Sequence, residues 1–248
     1  AQGRVVARRF EARTRGHADR LLPMIGEVLA ETGLGYPDLD GLAVTQGPGG
    51  FTGVRIGLAT ARGLALASGK PLVGVDNFHV LAAAVPAARR QGRKLAILID
   101  AKRADLYLQL FDAELRPLSK PQALAPDDLP SQLPTGPLLL AGDAVALAWP
   151  ALAARDGLEV CAEVTLSDAA HLAAIAASRP SGSAVPAAAR CHPGQAASRA
   201  GHHTARDRPP VIAAAGRRHS ARQRPGPFPG PGLNAGRCSA TPGFSAAG

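Results

Sequence analysis

The sequence predicts an α/β protein, on three observations. Short apolar runs such as Leu42-Ala43-Val44 and Leu95-Ala96-Ile97-Leu98-Ile99 alternate with segments of helical period. One of these strands passes through Gly47-Pro48-Gly49-Gly50 straight into a helical segment, about Thr52 to Ser68. Further on, Leu95–Asp100 and Leu106–Phe111 read as two strands joined by a short turn.

In chain order, Arg4-Val5-Val6-Ala7-Arg8-Arg9-Phe10 reads as a moderately amphipathic strand. A helix from His17 to about Thr32 follows. Ala18, Leu21, Leu22, Ile25, Val28 and Leu29 keep the three-four spacing of one apolar face. Pro23 must sit early in this helix or kink it, and Gly33 ends it. His17 stands alone and reads as a cap or surface residue. Tyr36–Asp40 is a loop into the strand 42–44.

The turn Gly47–Gly50 needs freedom in φ and close backbone approach. A strand, a glycine turn and a helix N-terminus together make an anion-binding geometry. The same residues also serve as a plain tight connection, and both readings stand. No Gly-Lys-Ser/Thr follows, so this is not a Walker loop; Thr52 stands where a dinucleotide fingerprint has its last glycine. In the helix, Gly53, Gly57, Ala61, Ala65 and Gly69 recur at steps of four, which fall on one stripe. Glycine inside a helix costs about 1 kcal/mol against alanine, so close packing along that stripe is the expected reason. The packing partner is either the domain itself or another chain. Gly69 and Pro71 end the helix.

Pro71–Val75 is a short strand, and Asp76-Asn77 cap a helix from Phe78 to about Ala88. After the hairpin, where Asp100 and Arg103 are placed to pair across the turn, prolines and acids mark a variable connection. It holds a short helix near Pro126–Gln132. Leu138–Asp143 is a strand and glycine turn, Val160–Leu166 a further strand, and Asp168 caps a last helix from Ala169 to Ala177.

The run Gly-Pro-Gly-Gly-Phe-Thr-Gly-Val-Arg-Ile-Gly-Leu-Ala-Thr-Ala-Arg-Gly-Leu-Ala at 47–65, followed by Pro71-Leu72-Val73-Gly74-Val75, closely resembles the TsaB family. The resemblance covers about residues 3–178. It implies two actin-like (ribonuclease-H-like) lobes, 1–94 and 95–178. It also implies a first strand, ending in an Asp-Thr or Asp-Ser turn, ahead of Arg4. That strand is absent from this sequence, so the first lobe is expected to be truncated at its N-terminus.

By the same resemblance, the chain is the non-catalytic partner subunit of TsaD and TsaE. That complex adds a threonylcarbamoyl group to N6 of the adenosine beside the anticodon of tRNAs. TsaD would hold the metal and perform the transfer. The HxxxH pair of TsaD has no counterpart here, since Leu21 stands four residues after His17. No catalytic residue, no metal ligand and no cofactor of its own are assigned, with ATP a feature of the assembled complex. Gly47, Pro48, Gly49, Gly50, Thr52, Gly142 and Asp143 form the vestigial nucleotide-binding set. Leu21, Leu22, Ile25, Gly53, Gly57, Ala61 and Ala65 form the partner interface; for the chain alone, homodimer and heterodimer-only assembly both stand open. The alternative is an enzyme, either an ATP-using phosphotransferase or a glycoprotease-like hydrolase. The basic cluster Arg89, Arg90, Arg93 and Lys94 reads as a solvated helix end, with a tRNA contact as the second reading.

Charge narrows the choice further. The net charge is +9, yet residues 1–178 hold 18 Lys+Arg against 18 Asp+Glu. The excess lies in 179–248, which has ten Arg, ten Pro, ten Gly, sixteen Ala and one acid, Asp207. The body therefore lacks the electrostatic footprint of an RNA-binding surface. The tail has too little apolar surface to offset chain entropy. It reads as a disordered or frameshifted tail, with a basic RNA-binding tail as the alternative. No run of 18 apolar residues predicts a membrane helix. The start, Ala1-Gln2-Gly3-Arg4, shows no signal peptide and no initiating Met, which points to a fragment. Cys161, Cys191 and Cys238 are too few and scattered for a disulfide framework or a zinc site, so a cytoplasmic protein is expected.

Overall fold

The strand Gly41–Thr45 (β1) is buried from Leu42 to Thr45 because it is covered on both faces. It runs parallel to β2 (Leu72–Val75), with Leu42 beside Leu72 and Val44 beside Gly74. The computed structural model describes residues 4–179 and 212–215. Between β1 and β2 the chain crosses over through α2 (Phe51–Ser68). The helix α1 (His17–Thr32) lies beside α2. It ends where Gly33 turns to φ 66° and donates its N–H to Ala30 O while Leu34 N–H reaches Leu29 O, the glycine stop read from the sequence. Leu29, Leu39, Leu42, Val44, Leu58, Ala61 and Leu72 form one core beneath the two helices.

The second sheet has five strands in the order β5-β4-β3-β6-β7. They are β3 (Lys94–Asp100), β4 (Leu106–Phe111), β5 (Gln122–Leu124), β6 (Leu138–Ala141) and β7 (Leu158–Val160). β3, β4 and β5 form an antiparallel meander, and β6 and β7 add in parallel on the other side of β3. Alternation along β3 serves two cores. Leu95, Ile97 and Ile99 face the helix α3 (Asn77–Ala84). Ala96 and Leu98 face Leu129 and Leu133, and Ala144, Ala148 and Leu152 of the α6 (Val145–Leu152) side. Burial on both faces is why β3 reads as an unbroken apolar run.

The helix α3 and the helix α7 (Ala169–Ser178) join the two sheets. Phe78, Leu81, Ala82 and Val85 pack on the second sheet, while Val80 packs with Ala43, Val75, Leu172 and Ala176 at the first. Residue 94 lies between β2 and β3, but α3 before it contributes to the core of the second sheet, and α7 and β8 (Ile212–Ala215) after it contribute to that of the first.

Several sequence expectations are corrected. Arg4–Phe10 forms no strand; both edges of β1 are taken, by β2 and by β8 (Ile212–Ala215). The segment is instead without secondary structure and largely exposed, with Val5 and Val6 about half exposed. Ion pairs from Arg9 to Glu31 (2.6 Å) and from Arg8 to Asp168 hold it. His17 is buried rather than a surface residue. The helix expected over 78–88 stops at Ala84, because Pro86 cannot continue it, and a separate turn α4 (Ala87–Arg90) follows. The short helix near 126–132 is a 3₁₀ turn, Pro126–Asp128, running into α5 (Leu129–Gln132). The strand expected over 160–166 is β7, placed earlier at Leu158–Val160. β5 and α6 had no counterpart in the sequence reading. Nor had β8, which lies within the stretch 179–248 expected to form no core; the rest of that stretch after Arg179 lies outside the described residues.

Candidate functional site

The glycine turn is fixed from below. Gly47 has φ 96°, where L residues are strained, and the Gly47–Pro48 peptide is cis. Asn77, buried at the start of α3, donates its backbone N–H to Gly47 O (2.7 Å) and its side-chain Nδ2 to Pro48 O (2.7 Å). Its Oδ1 in turn accepts from Ser167 Oγ at 3.2 Å. The sequence marked Asn77 only as a helix cap. Its actual work, tying the turn to α3 and to the segment before α7, depends on contacts 29 and 90 residues away. Gly50 caps α2, and Thr52 is exposed in its first turn.

The cap of α3 is Asp76, whose carboxylate accepts from His79 N–H (3.0 Å) and lies 2.7 Å from His79 Nδ1. Burial pushes the Asp76 carboxyl up, but the hydrogen bonds from the His79 side chain and backbone outweigh it and hold the pKa below its ordinary 3.8. A lowered folded pKa contributes stability above the unfolded value that is lost as pH falls through the folded one. Replacing Asp76 by Ala is expected to cost about 1 kcal/mol at pH 7. Urea unfolding at pH 7 and again at pH 3 checks this, with the gap between the two proteins narrowing as pH drops below 3.8.

The second turn follows β6. Gly142 has φ 113°, and a Cβ there would lie 2.0 Å from Leu98 O. Its N–H donates to Val164 O at 2.8 Å. The neighbouring Asp143 does not present an open carboxylate. Its Oδ1 accepts from Asp100 N–H (2.9 Å) and its Oδ2 lies 3.6 Å from Lys102 Nζ. Lys102 also bonds Asp100 Oδ2 at 2.8 Å, and its backbone N–H reaches Asp100 Oδ1 at 2.6 Å. It adopts φ 60° to do so. Arg103, expected to pair with Asp100, is exposed, and Lys102 takes that place because the tight turn folds its amine back between the two carboxylates.

The two turns are connected through one piece of chain. Val164 holds Gly142 and Ser167 holds Asn77. Beside Gly142 lies an open, mainly apolar cleft of about 440 Å³, lined by Asp143, Trp149, Cys161 and Thr165 among others. Burial, together with the neighbouring Glu163, pushes the Cys161 thiol up to about 11, so it is no nucleophile at neutral pH. No group of three or more His, Cys, Asp or Glu among the described residues is placed to hold a metal ion. No helix among them is long and apolar enough to cross a membrane.

The interface residues named from the sequence do not share one surface. Leu21, Gly53, Gly57 and Ala61 are buried within the lobe, Ile25 and Ala65 are half-buried against its core, and Leu22 is exposed. The small-residue stripe of α2 thus lies on the buried side of the helix, toward its own lobe. The outward apolar residues of the helix pair are Leu22 on α1, and Phe51 and Leu66 on α2, with Leu66 87% exposed. The basic cluster is largely consumed inside the chain as well. Arg89 pairs with Glu159 and Glu163, Arg93 with Glu159, and Arg90 donates to Val85 O and Ala113 O. That leaves little free charge for a nucleic-acid contact.

Residues 5–139 match the family model described as TsaD, tRNA N6-adenosine threonylcarbamoyltransferase. The chain is 40% identical over 97 residues to the tRNA threonylcarbamoyladenosine biosynthesis protein TsaB of Haemophilus influenzae, covering 39% of this chain and 41% of that protein. It is 39% identical over 99 residues to TsaB of Escherichia coli, covering 40% and 42%. The match thus spans about two fifths of the length of these curated relatives. Among solved structures, YeaZ from Pseudomonas aeruginosa superposes with a TM-score of 0.57 at 30% identity, covering 66% of this chain and 76% of that one. The sheets, the joining helices and the two glycine turns define an actin-like α/β protein. Within that class, the chain belongs to the TsaB family.

Proposed function

We propose that this chain acts in tRNA threonylcarbamoyladenosine biosynthesis as a non-catalytic subunit that pairs with TsaD, with TsaE as a further member of the complex. The observation that carries the non-catalytic part is the state of Asp100 and Asp143. In an ATP-using enzyme of this fold, carboxylates at the strand ends would face metal and phosphate. Here the Lys102 ammonium is bonded to one and close to the other, and the Asp100 N–H occupies the second. The glycine turn is likewise braced by Asn77 through its carbonyls. The vestigial nucleotide set, Gly47–Gly50, Thr52, Gly142 and Asp143, keeps its shape without presenting a charged group to a ligand. ATP hydrolysis by the isolated chain is expected to be at background, and turnover well above background would overturn this part.

The docking surface we assign to TsaD is the outward side of α1 and α2. Its apolar residues lie on a helix pair already stiffened by the inward stripe, so a partner helix meets a preformed face. Leu66→Asp and Leu22→Asp alter exposed positions and are expected to leave the circular dichroism spectrum unchanged. Each is expected to weaken association with TsaD about tenfold or more. Titration of labelled TsaD with each variant measures this; unchanged affinity for both would remove these helices as the docking surface. Gly57→Leu is a poorer probe than the stripe implied, because it overpacks the chain's own lobe.

A further inference from the structure

The helix α7 is held by little apolar surface. Six of its ten residues are alanine, and Leu172 is its only large side chain that is fully buried. A helix this short has little stability of its own, so its place depends on what fastens it. Polar contacts fasten it at both ends. After its last turn, Arg179 Nη1 donates to Gly74 O of β2 at 2.8 Å. At its first turn, Asp168 Oδ1 accepts from Ala170 N–H at 2.8 Å, and Asp168 Oδ2 pairs with Arg8. The Asp168 side chain is 10% exposed and that of Arg8 is 55% exposed. A nearly buried carboxylate thus relies on a guanidinium that stands mostly in solvent.

The next residue, Arg9, grips the other side of the sheet. It pairs with Glu31 at 2.6 Å and lies 3.6 Å from Glu27, both on α1. α1 belongs to the core over Leu42, Val44 and Leu72, and α7 to the core over Ala43 and Val75. By the alternation of strands these are opposite faces of the first sheet. Arg8 and Arg9 therefore tie together helices from its two faces. Their segment joins no strand and leaves Val5, Val6 and Phe10 exposed, so ion pairs carry most of its hold. Salt screens such pairs, and a segment held by them opens without unfolding a core.

Ser167 stands one residue before Asp168, and its Oγ donates to Asn77 Oδ1. Asn77 in turn holds Gly47 O and Pro48 O. Loss of Arg8 leaves the Asp168 carboxylate without its counter-charge in a nearly buried place. Turning that carboxylate out to water relieves the cost, but it uncaps α7 and draws Ser167 away from Asn77. We propose that Arg8 and Arg9 form an ionic clasp that controls the order of the glycine turn Gly47–Gly50. Closed, the clasp braces the turn through Asp168, Ser167 and Asn77; opened, it lets the turn loosen.

Amide hydrogen exchange on the full chain tests this, in about 0.1 M and about 1 M NaCl, where screening reaches roughly 10 Å and 3 Å. Ala170 N–H reports the cap, Asn77 N–H the brace, and the amides of β3 serve as reference. Arg8→Gln is expected to speed exchange at Ala170 and Asn77 at least tenfold and to leave β3 unchanged. Arg8→Lys keeps the charge and is expected to keep most of the protection. High salt is expected to speed the same two amides in the unaltered chain and to add little in Arg8→Gln, whose clasp is already open. Unchanged exchange at Asn77 in Arg8→Gln overturns the proposal, whether or not Ala170 responds. So does a salt effect at Asn77 of equal size in both proteins. If Arg8→Gln speeds β3 as well, the unaltered chain decides: Asn77 exchange that ignores salt overturns the proposal, and a rise at Asn77 with β3 unchanged upholds it.

Discussion

Gly142→Ala is expected to destabilise the protein by about 3 kcal/mol, the largest effect of any single-methyl change in the site. Two causes combine. The backbone at Gly142 has φ 113°, a region that L residues rarely enter, and the added Cβ would fall 2.0 Å from Leu98 O. That oxygen belongs to the central strand of the five-stranded sheet, so the clash cannot be relieved by swinging a side chain. Either β6 shifts or the turn opens, and opening it breaks the bond from Gly142 N–H to Val164 O. The segment from Val164 carries Ser167, so the disturbance reaches Asn77 and the glycine turn. Chemical denaturation measures the loss. A change below about 1 kcal/mol would mean that the turn has more freedom than its geometry allows.

Lys102→Met is expected to cost about 2 kcal/mol. The side chains of Lys102, Asp100 and Asp143 are 16%, 27% and 14% exposed, so solvent screens them only in part. Without the ammonium, two carboxylates remain close together in partial burial, and mutual repulsion adds to the lost bonds. The double variant Lys102→Met with Asp100→Asn removes one negative charge and retains an oxygen for the Lys102 position's backbone N–H. It is expected to recover part of the loss, so the two changes should be strongly non-additive. Urea unfolding of the four proteins completes the cycle. Additive effects would show that Lys102 and Asp100 do not act as a pair.

Much of this was legible in the sequence where the signal is local. The stops at Gly33 and Gly69 and the cap at Asp168 set helix ends, because glycine at positive φ and a capping carboxylate act within a few residues. Gly47–Gly50 and Gly142–Asp143 stood out for the same reason. The strand pattern of Arg4–Phe10 misled because alternation shows only which side chains could be covered; the segment pairs with no strand and is held by ion pairs to Glu31 and Asp168 instead. β8 was hidden for the converse reason. Four residues in an Arg-, Pro- and Gly-rich stretch carry no strand signal, and their conformation is decided by β1, some 170 residues earlier. α6 was missed because Pro150 and a nearly continuous apolar run obscure its period. In the site, the bracing roles of Lys102 and Asn77 were not legible because they arise from contacts made only after the chain folds. The stripe of α2 showed that something packs closely, but one sequence does not reveal which side of a helix is inside.

The central claim is that this chain supports a threonylcarbamoyl transfer it does not itself perform. The most direct test is the amount of N6-threonylcarbamoyladenosine formed on tRNA by TsaD and TsaE, with and without this chain, and by this chain alone. The account predicts modified tRNA when all three proteins are present, little when this chain is left out, and none when it acts alone. Modification by this chain alone, or equal modification in its absence, would contradict it.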